Sequence, residues 1–327
     1  MGVNMGGATE TFVETNGITL RVYEAGPKGK PVVLCHGFPE LAYSWRHQVE
    51  PLASAGYHVL VPDQRGYGGS TAPGEVEAYR IEELHADLIG LLDHHGYDSA
   101  IFVGHDWGSF VVWELALRHP SKVDAVVGVS VPFIKWPMPP TELFKLASNG
   151  GESFFYILYF QEVGPAEREL EADPHRSMRM ILWGASGDRA KTVTEPPAPR
   201  PMKGTGFLDM MEEPPTPLPS WLTEEDIKVY GDAYAKSGFF GPVSWYRNFD
   251  RNYETAKDLD PRVMTMPSFF IGGERDGVIA NRAQLEAMKD LLPNLKGITL
   301  IPEAGHWTQQ EAPYEFNAAL LGFLRSL

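Results

Sequence analysis

The sequence predicts an α/β fold, with a mostly parallel sheet, helices on both faces and a helical segment inserted into the chain. Two observations carry this. Short apolar runs at residues 32–34, 59–61, 101–103 and 126–131 alternate with helix-like segments at 45–52, 82–94 and 110–117, the βαβ rhythm that builds parallel sheets. The rhythm stops after Pro132 and resumes at 267–272, followed by a helix around 283–291, a strand at 297–301 and a final helix over 314–327. At 327 residues, 43% of them hydrophobic, the chain is long enough for one large core with an insertion.

In chain order, residues 1–8 are glycine-rich and lack the basic and apolar regions of a secretory signal. Gly6 stands where a myristoylation motif needs Ser or Thr. Residues 11–14 and 18–23 flank Asn16-Gly17, a pair suited to a tight hairpin. After the first βα units, residues 134–253 carry helical, aromatic-rich patterns, including 154–160 and 244–247. Within them, 187–220 is dense in proline, among them Pro196, Pro197, Pro199, Pro201, Pro214, Pro215, Pro217 and Pro219, and is expected to form a loop. The expected organisation is a core from 1–133 and 254–327 with a cap, 134–253, laid over the carboxyl edge of the sheet, where open α/β sheets bind ligands.

A net charge of −15 argues against nucleic-acid and anionic-membrane partners, which need clustered Lys and Arg. The single cysteine, Cys35, sits in an apolar run and is expected as a buried strand residue without a disulfide. No stretch approaches the roughly 18 apolar residues of a membrane span. A cytoplasmic protein is expected, acting on a small molecule, with a homodimer as the assembly considered.

The chemistry centres on Gly104-His105-Asp106-Trp107-Gly108, between the apolar run 100–103 and the helix-like 110–117. This order reads as strand, sharp turn, helix, with glycines removing the Cβ atoms that would collide across the turn. The α/β-hydrolase elbow usually places serine at the apex, but no G-x-S-x-G occurs in the chain and the apex residue is Asp106. By itself the motif could equally be an ordinary βα turn with a carboxylate near a helix N-terminus. Asp276 and His306 follow later predicted strands, giving the chain order nucleophile, acid, histidine. Glu274 competes with Asp276 as the acid. In His36-Gly37-Phe38-Pro39-Glu40 the Phe38 backbone N–H, together with that of Trp107, is placed to form an oxyanion hole.

These motifs, with Asp63-Gln64-Arg65-Gly66-Tyr67-Gly68-Gly69-Ser70 and Gly305-His306-Trp307, resemble the soluble epoxide hydrolases of the α/β-hydrolase superfamily over nearly the whole chain. The resemblance implies an Asp106 nucleophile, a water-activating His306 partnered by Asp276, a cis Phe38-Pro39 bond, and no metal or organic cofactor. It also implies that Tyr156 and Tyr246 bind the epoxide oxygen. From residues alone these tyrosines are as readily core aromatics, with Tyr159 and Tyr253 equally eligible. The expected activity is addition of water to apolar epoxides to give vicinal diols. A haloalkane dehalogenase shares the aspartate, histidine and tryptophan but commonly has Asn where Phe38 stands. A catalytically inert ligand receptor would need a pocket but no intact triad.

Overall fold

The computed structural model describes residues 3–193 and 198–327. Eight strands form one sheet: β1 (Thr9–Thr15), β2 (Ile18–Ala25), β3 (Pro31–Cys35), β4 (His58–Pro62), β5 (Ala100–His105), β6 (Val123–Val129), β7 (Ser268–Gly273) and β8 (Leu295–Ile301). Their spatial order is β1-β2-β4-β3-β5-β6-β7-β8. The β1–β2 and β2–β4 pairs are antiparallel and all others parallel. Asn16 and Gly17 close the β1–β2 hairpin with positive φ angles of 44° and 74°, which this dipeptide tolerates.

The period of two along each strand divides the core into two layers. Val32, Leu34, Ile101 and Val103 pack with Phe316 and Leu320 of helix Pro313–Leu324 on one face. Val33, Cys35 and Phe102 face the other way, against Leu84, Leu88 and Leu91 of helix Ile81–His95 and Val111 and Leu115 of helix Trp107–Arg118. The central strands β3 and β5 are buried along their whole length because helices cover both faces. Each fully buried Leu or Val contributes about 1.5–3 kcal/mol relative to exposure.

Between β6 and β7 the chain is helical, with Pro165–Glu171, Pro174–Gly184, Glu224–Ser237, Phe240–Arg247 and Phe249–Ala256 among its elements. Its side chains bond to loops that leave the carboxyl ends of β3 and β4. Tyr234 Oη donates to the Glu40 carbonyl at 3.1 Å, Trp245 Nε1 to the Arg65 carbonyl at 3.2 Å, and Tyr43 Oη to Asp226 at 2.8 Å. No helix among the described residues is long and apolar enough to cross a membrane.

Several local expectations are corrected. The aromatic run 154–160 contains only a four-residue helix, Tyr156–Tyr159, because Phe155 is extended at φ −139°, ψ 118°. The expected loop 187–220 opens with helix Gly187–Thr192, capped by Ser186 Oγ accepting from the Arg189 N–H at 3.1 Å. Prolines begin only after it; Pro196 and Pro197 lie outside the described residues, as does Gly2. Strand β6 starts and ends earlier than 126–131.

At Gly108 a Cβ atom would fall on the backbone carbonyls of Cys35 and His36. At an exposed helical site Gly→Ala gains about 0.5–1 kcal/mol. Here the backbone clash dominates. Gly108→Ala is expected to destabilise the protein by about 1–3 kcal/mol, read from urea unfolding; an unchanged midpoint would contradict this packing.

Candidate active site

Asp106 occupies the turn between β5 and helix Trp107–Arg118 with φ 53° and ψ −117°. This is a strained conformation for a residue with a Cβ, costing on the order of 1–3 kcal/mol. The turn is pinned on both sides: Asp106 N–H donates to the Val129 carbonyl at 3.2 Å, and its own carbonyl accepts from Ser109 N–H at 3.0 Å. A Cβ on Gly104 would strike the Gly108 backbone, and one on Gly37 would strike Asp106 itself. The small residues of the two motifs thus let β3, β5 and the helix start meet with the carboxylate projecting between them. The Phe38-Pro39 bond is cis, and Phe38 N–H donates to Asp106 Oδ1 at 2.7 Å.

His306 follows β8 and lies between two carboxylates. Its Nδ1 is 3.0 Å from Asp276 Oδ2, and its Nε2 is 3.5 Å from Asp106 Oδ2. Asp276 is buried and caps the turn Gly277–Ile279 by accepting from Val278 N–H at 2.9 Å, whereas Glu274 is exposed. Of these two acids, Asp276 is the one that is buried and in contact with His306.

Burial opposes charge on both His306 and Asp106, yet the partners win. Asp276 and Asp106 hold the His306 imidazole well above its ordinary value. In turn, the hydrogen bond and charge of His306, with contributions from His105 and the Phe38 N–H, keep the Asp106 carboxyl below its ordinary value. Both shifts favour the charged pair, a carboxylate at Asp106 and an imidazolium at His306.

Tyr246, on helix Phe240–Arg247, packs edge-on against Trp107 and Phe38, with ring centroids 5.1 and 5.3 Å away. Tyr156 meets Tyr246 at 5.9 Å and 77°. Burial, then the negative charge of Asp106, raises the phenol of Tyr156; burial, Tyr156 and Asp106 raise that of Tyr246. Both phenols are thereby held in the protonated form. Tyr159 differs, since its hydroxyl donates to Glu169 at 2.9 Å. Beside Trp107 a mostly apolar cavity opens, lined by Phe110, Phe133, Trp136 and Phe249, with Glu114, Lys135, Asn252 and Lys257 also on its wall.

Two supporting groups carry no assignment in the sequence reading. Glu40, fully buried, accepts from Gly37 N–H at 2.8 Å and pairs with His105 Nδ1 at 2.6 Å. Burial pushes this carboxyl up, but the His105 charge and hydrogen bond outweigh it and bring it below the usual range. The other nitrogen of His105 meets the His306 carbonyl at 2.7 Å, so this pair ties the elbow to the histidine loop. Glu311 accepts from the backbone N–H groups of Gly187, Gly305 and Trp307 at 2.8–3.0 Å. Burial raises it to about 7 despite those donors. The only signal for either residue was a carboxylate inside or near a motif.

Residues 30–179 match the family model for the alpha/beta hydrolase fold. Epoxide hydrolase A of Mycobacterium tuberculosis is 50% identical over 327 residues, 99% of each chain. Bifunctional epoxide hydrolase 2 of Sus scrofa is 38% identical over 95% of this chain and 54% of its own length. The crystal structure of Epoxide hydrolase A from Mycobacterium thermoresistibile superposes with a TM-score of 0.90 at 48% identity, covering 98% of this chain and 99% of that one. An epoxide hydrolase structure from Vigna radiata gives 0.87 at 34% identity over the full length of both. An aspartate at the elbow, a histidine held between two carboxylates and this degree of likeness agree: the chain belongs to the epoxide hydrolases of the α/β-hydrolase fold.

Proposed function

We propose that this enzyme adds water to apolar epoxides in two half-reactions on Asp106, beneath a cap formed by residues 134–253. The observation that carries this reading is the placement of His306 between Asp106 and Asp276. Asp106 Oδ1 is held by the Phe38 N–H, which leaves Oδ2 to attack an epoxide carbon. The new bond is an ester C–O bond; the epoxide C–O bond breaks, and its oxygen takes a proton from Tyr156 or Tyr246. Two protonated phenols suit this task, because charge appears on that oxygen only as the ring opens.

Forming the ester removes one of the two anions that hold the proton on His306. The imidazole then loses its proton to solvent and becomes a base, oriented by Asp276. It takes a proton from water, and the resulting hydroxide attacks the ester carbonyl carbon. The Phe38 and Trp107 N–H groups bind the oxyanion. Collapse breaks the bond from the carbonyl carbon to the alkyl oxygen, and the diol leaves with the proton carried by His306. The proton left on the Asp106 carboxyl passes to His306, and a solvent proton, replacing the one released earlier, restores the tyrosine. The cavity lined by Phe110, Phe133, Trp136 and Phe249 supports an apolar substrate arm.

Removing His306 separates the half-reactions. His306→Gln is expected to open the epoxide and accumulate a covalent adduct on Asp106, seen by intact-protein and peptide mass spectrometry, while Asp106→Asn forms none. Diol formation by the His306 variant with no added mass on Asp106 would sink the assignment.

Tyr156→Phe and Tyr246→Phe should each slow alkylation by about 10²–10³, with the double variant far slower. Near-normal single-turnover alkylation by the double variant would remove the phenols from the mechanism.

His306 also gives stability a pH signature. Its folded value lies above its unfolded value of about 6.5, so its contribution is complete below about pH 6.5 and is lost as pH rises through the folded value. The stability gap between wild type and His306→Gln, measured by urea unfolding, should be widest near about pH 6 and narrow in alkali. A gap that widens with rising pH would contradict the resting imidazolium.

A further inference from the structure

Three side chains from separate elements converge at the amino-terminal end of the parallel strands, the end of the sheet opposite Asp106. Glu24 lies near the end of β2, His58 begins β4, and His95 ends helix Ile81–His95. One carboxylate oxygen and two imidazole nitrogens lie within 4.8 Å of one another. His58 Nε2 is 3.7 Å from Glu24 Oε2, and His95 Nε2 is 3.8 Å from Glu24 Oε1. Those separations are too long for hydrogen bonds, so the three groups do not satisfy each other. His95 Nε2 is buried and has no hydrogen-bond partner among the described residues.

We propose that Glu24, His58 and His95 form a binding site for a divalent transition-metal ion of the zinc type, separate from the catalytic centre, with water completing the shell. Two imidazoles and one carboxylate are a donor set such ions accept. Zinc–ligand bonds of about 2.0–2.2 Å place tetrahedral donors roughly 3.3 Å apart. The two pairs that include Glu24, one through each carboxylate oxygen, are each within about half an ångström of that spacing. The Tyr97 hydroxyl lies 2.9 Å from His58 Nδ1. An Nδ1–H donated there fixes the tautomer that turns the Nε2 lone pair toward Glu24, as outer partners of metal-binding histidines do.

Burial disfavours charge on both imidazoles and, although Glu24 opposes it, keeps each below its ordinary value; neutral imidazole is the form that binds metal. Lys28 and His94 are the neighbouring basic groups that act on this cluster. They oppose a cation, and the Glu24 charge must offset them. Thr11 Oγ1 donates to Glu24 Oε1 and holds the carboxylate in place. An ion here would staple β2, β4 and the end of helix Ile81–His95 together, so its effect is on stability and not on diol formation.

Titrating the purified full-length protein with Zn2+ in a calorimeter should show one saturable site per chain, with a rise in thermal midpoint. Co2+ should give a visible absorption band that Zn2+ abolishes. Glu24→Gln, His58→Ala and His95→Ala should each lose the site. Tyr97→Phe, which touches no metal, should weaken affinity by about tenfold or more. His94→Ala, which removes a basic neighbour packed edge-on against His95, should bind at least as tightly as wild type. If a ligand variant fails to fold, the wild-type Co2+ band and the Tyr97→Phe titration decide. Absence of a saturable site in the wild type, a site that survives the ligand and Tyr97 substitutions, or one lost in His94→Ala would overturn the proposal.

Discussion

Where β3 and β5 end, backbone meets backbone with no room for Cβ atoms at Gly37, Gly104 or Gly108. That close approach holds Asp106 in a left-handed conformation, φ 53°, and brings the Phe38 N–H onto its Oδ1. The carboxylate is consequently positioned by the main chain and not by side-chain rotamers. Strain of about 1–3 kcal/mol is tolerable because β5, β6 and the following helix are buried on all sides.

The same buried setting governs the charges. Desolvation alone would neutralise Asp106 and His306; their mutual contact reverses that outcome, with Asp276 adding to it at His306 and His105 and the Phe38 N–H adding to it at Asp106. A centre built this way changes character when one charge disappears. In the proposed mechanism esterification of Asp106 is that change, turning an imidazolium partner into a base. The Glu40–His105 pair and the Glu311 cradle keep the two loops in register while it happens.

Much of this was legible in the sequence because the informative signals are local. The β/α rhythm, its interruption after Pro132 and the short motifs each depend on neighbouring residues, and the fold class follows from them. Asp276 could be narrowed to one of two acids at a strand end, but only burial separates it from Glu274. Tyr156 could not be told from Tyr159 by pattern, since both belong to one short helix and differ in what lies across from them: Tyr246 for the first, Glu169 for the second. Glu40 and His105, distant in sequence, meet only after the sheet forms. Helix Gly187–Thr192 is masked in the sequence by the prolines that follow it, since residues 187–195 contain none.

The central claim is that the oxygen added to the substrate comes from Asp106 and that water replaces it on the enzyme. A single turnover in water labelled with heavy oxygen, with enzyme in excess over epoxide, tests it directly. The account predicts unlabelled diol and one heavy oxygen in the peptide containing Asp106. Label in the diol with none in that peptide would mean that water attacks the epoxide itself, and would contradict the ester mechanism.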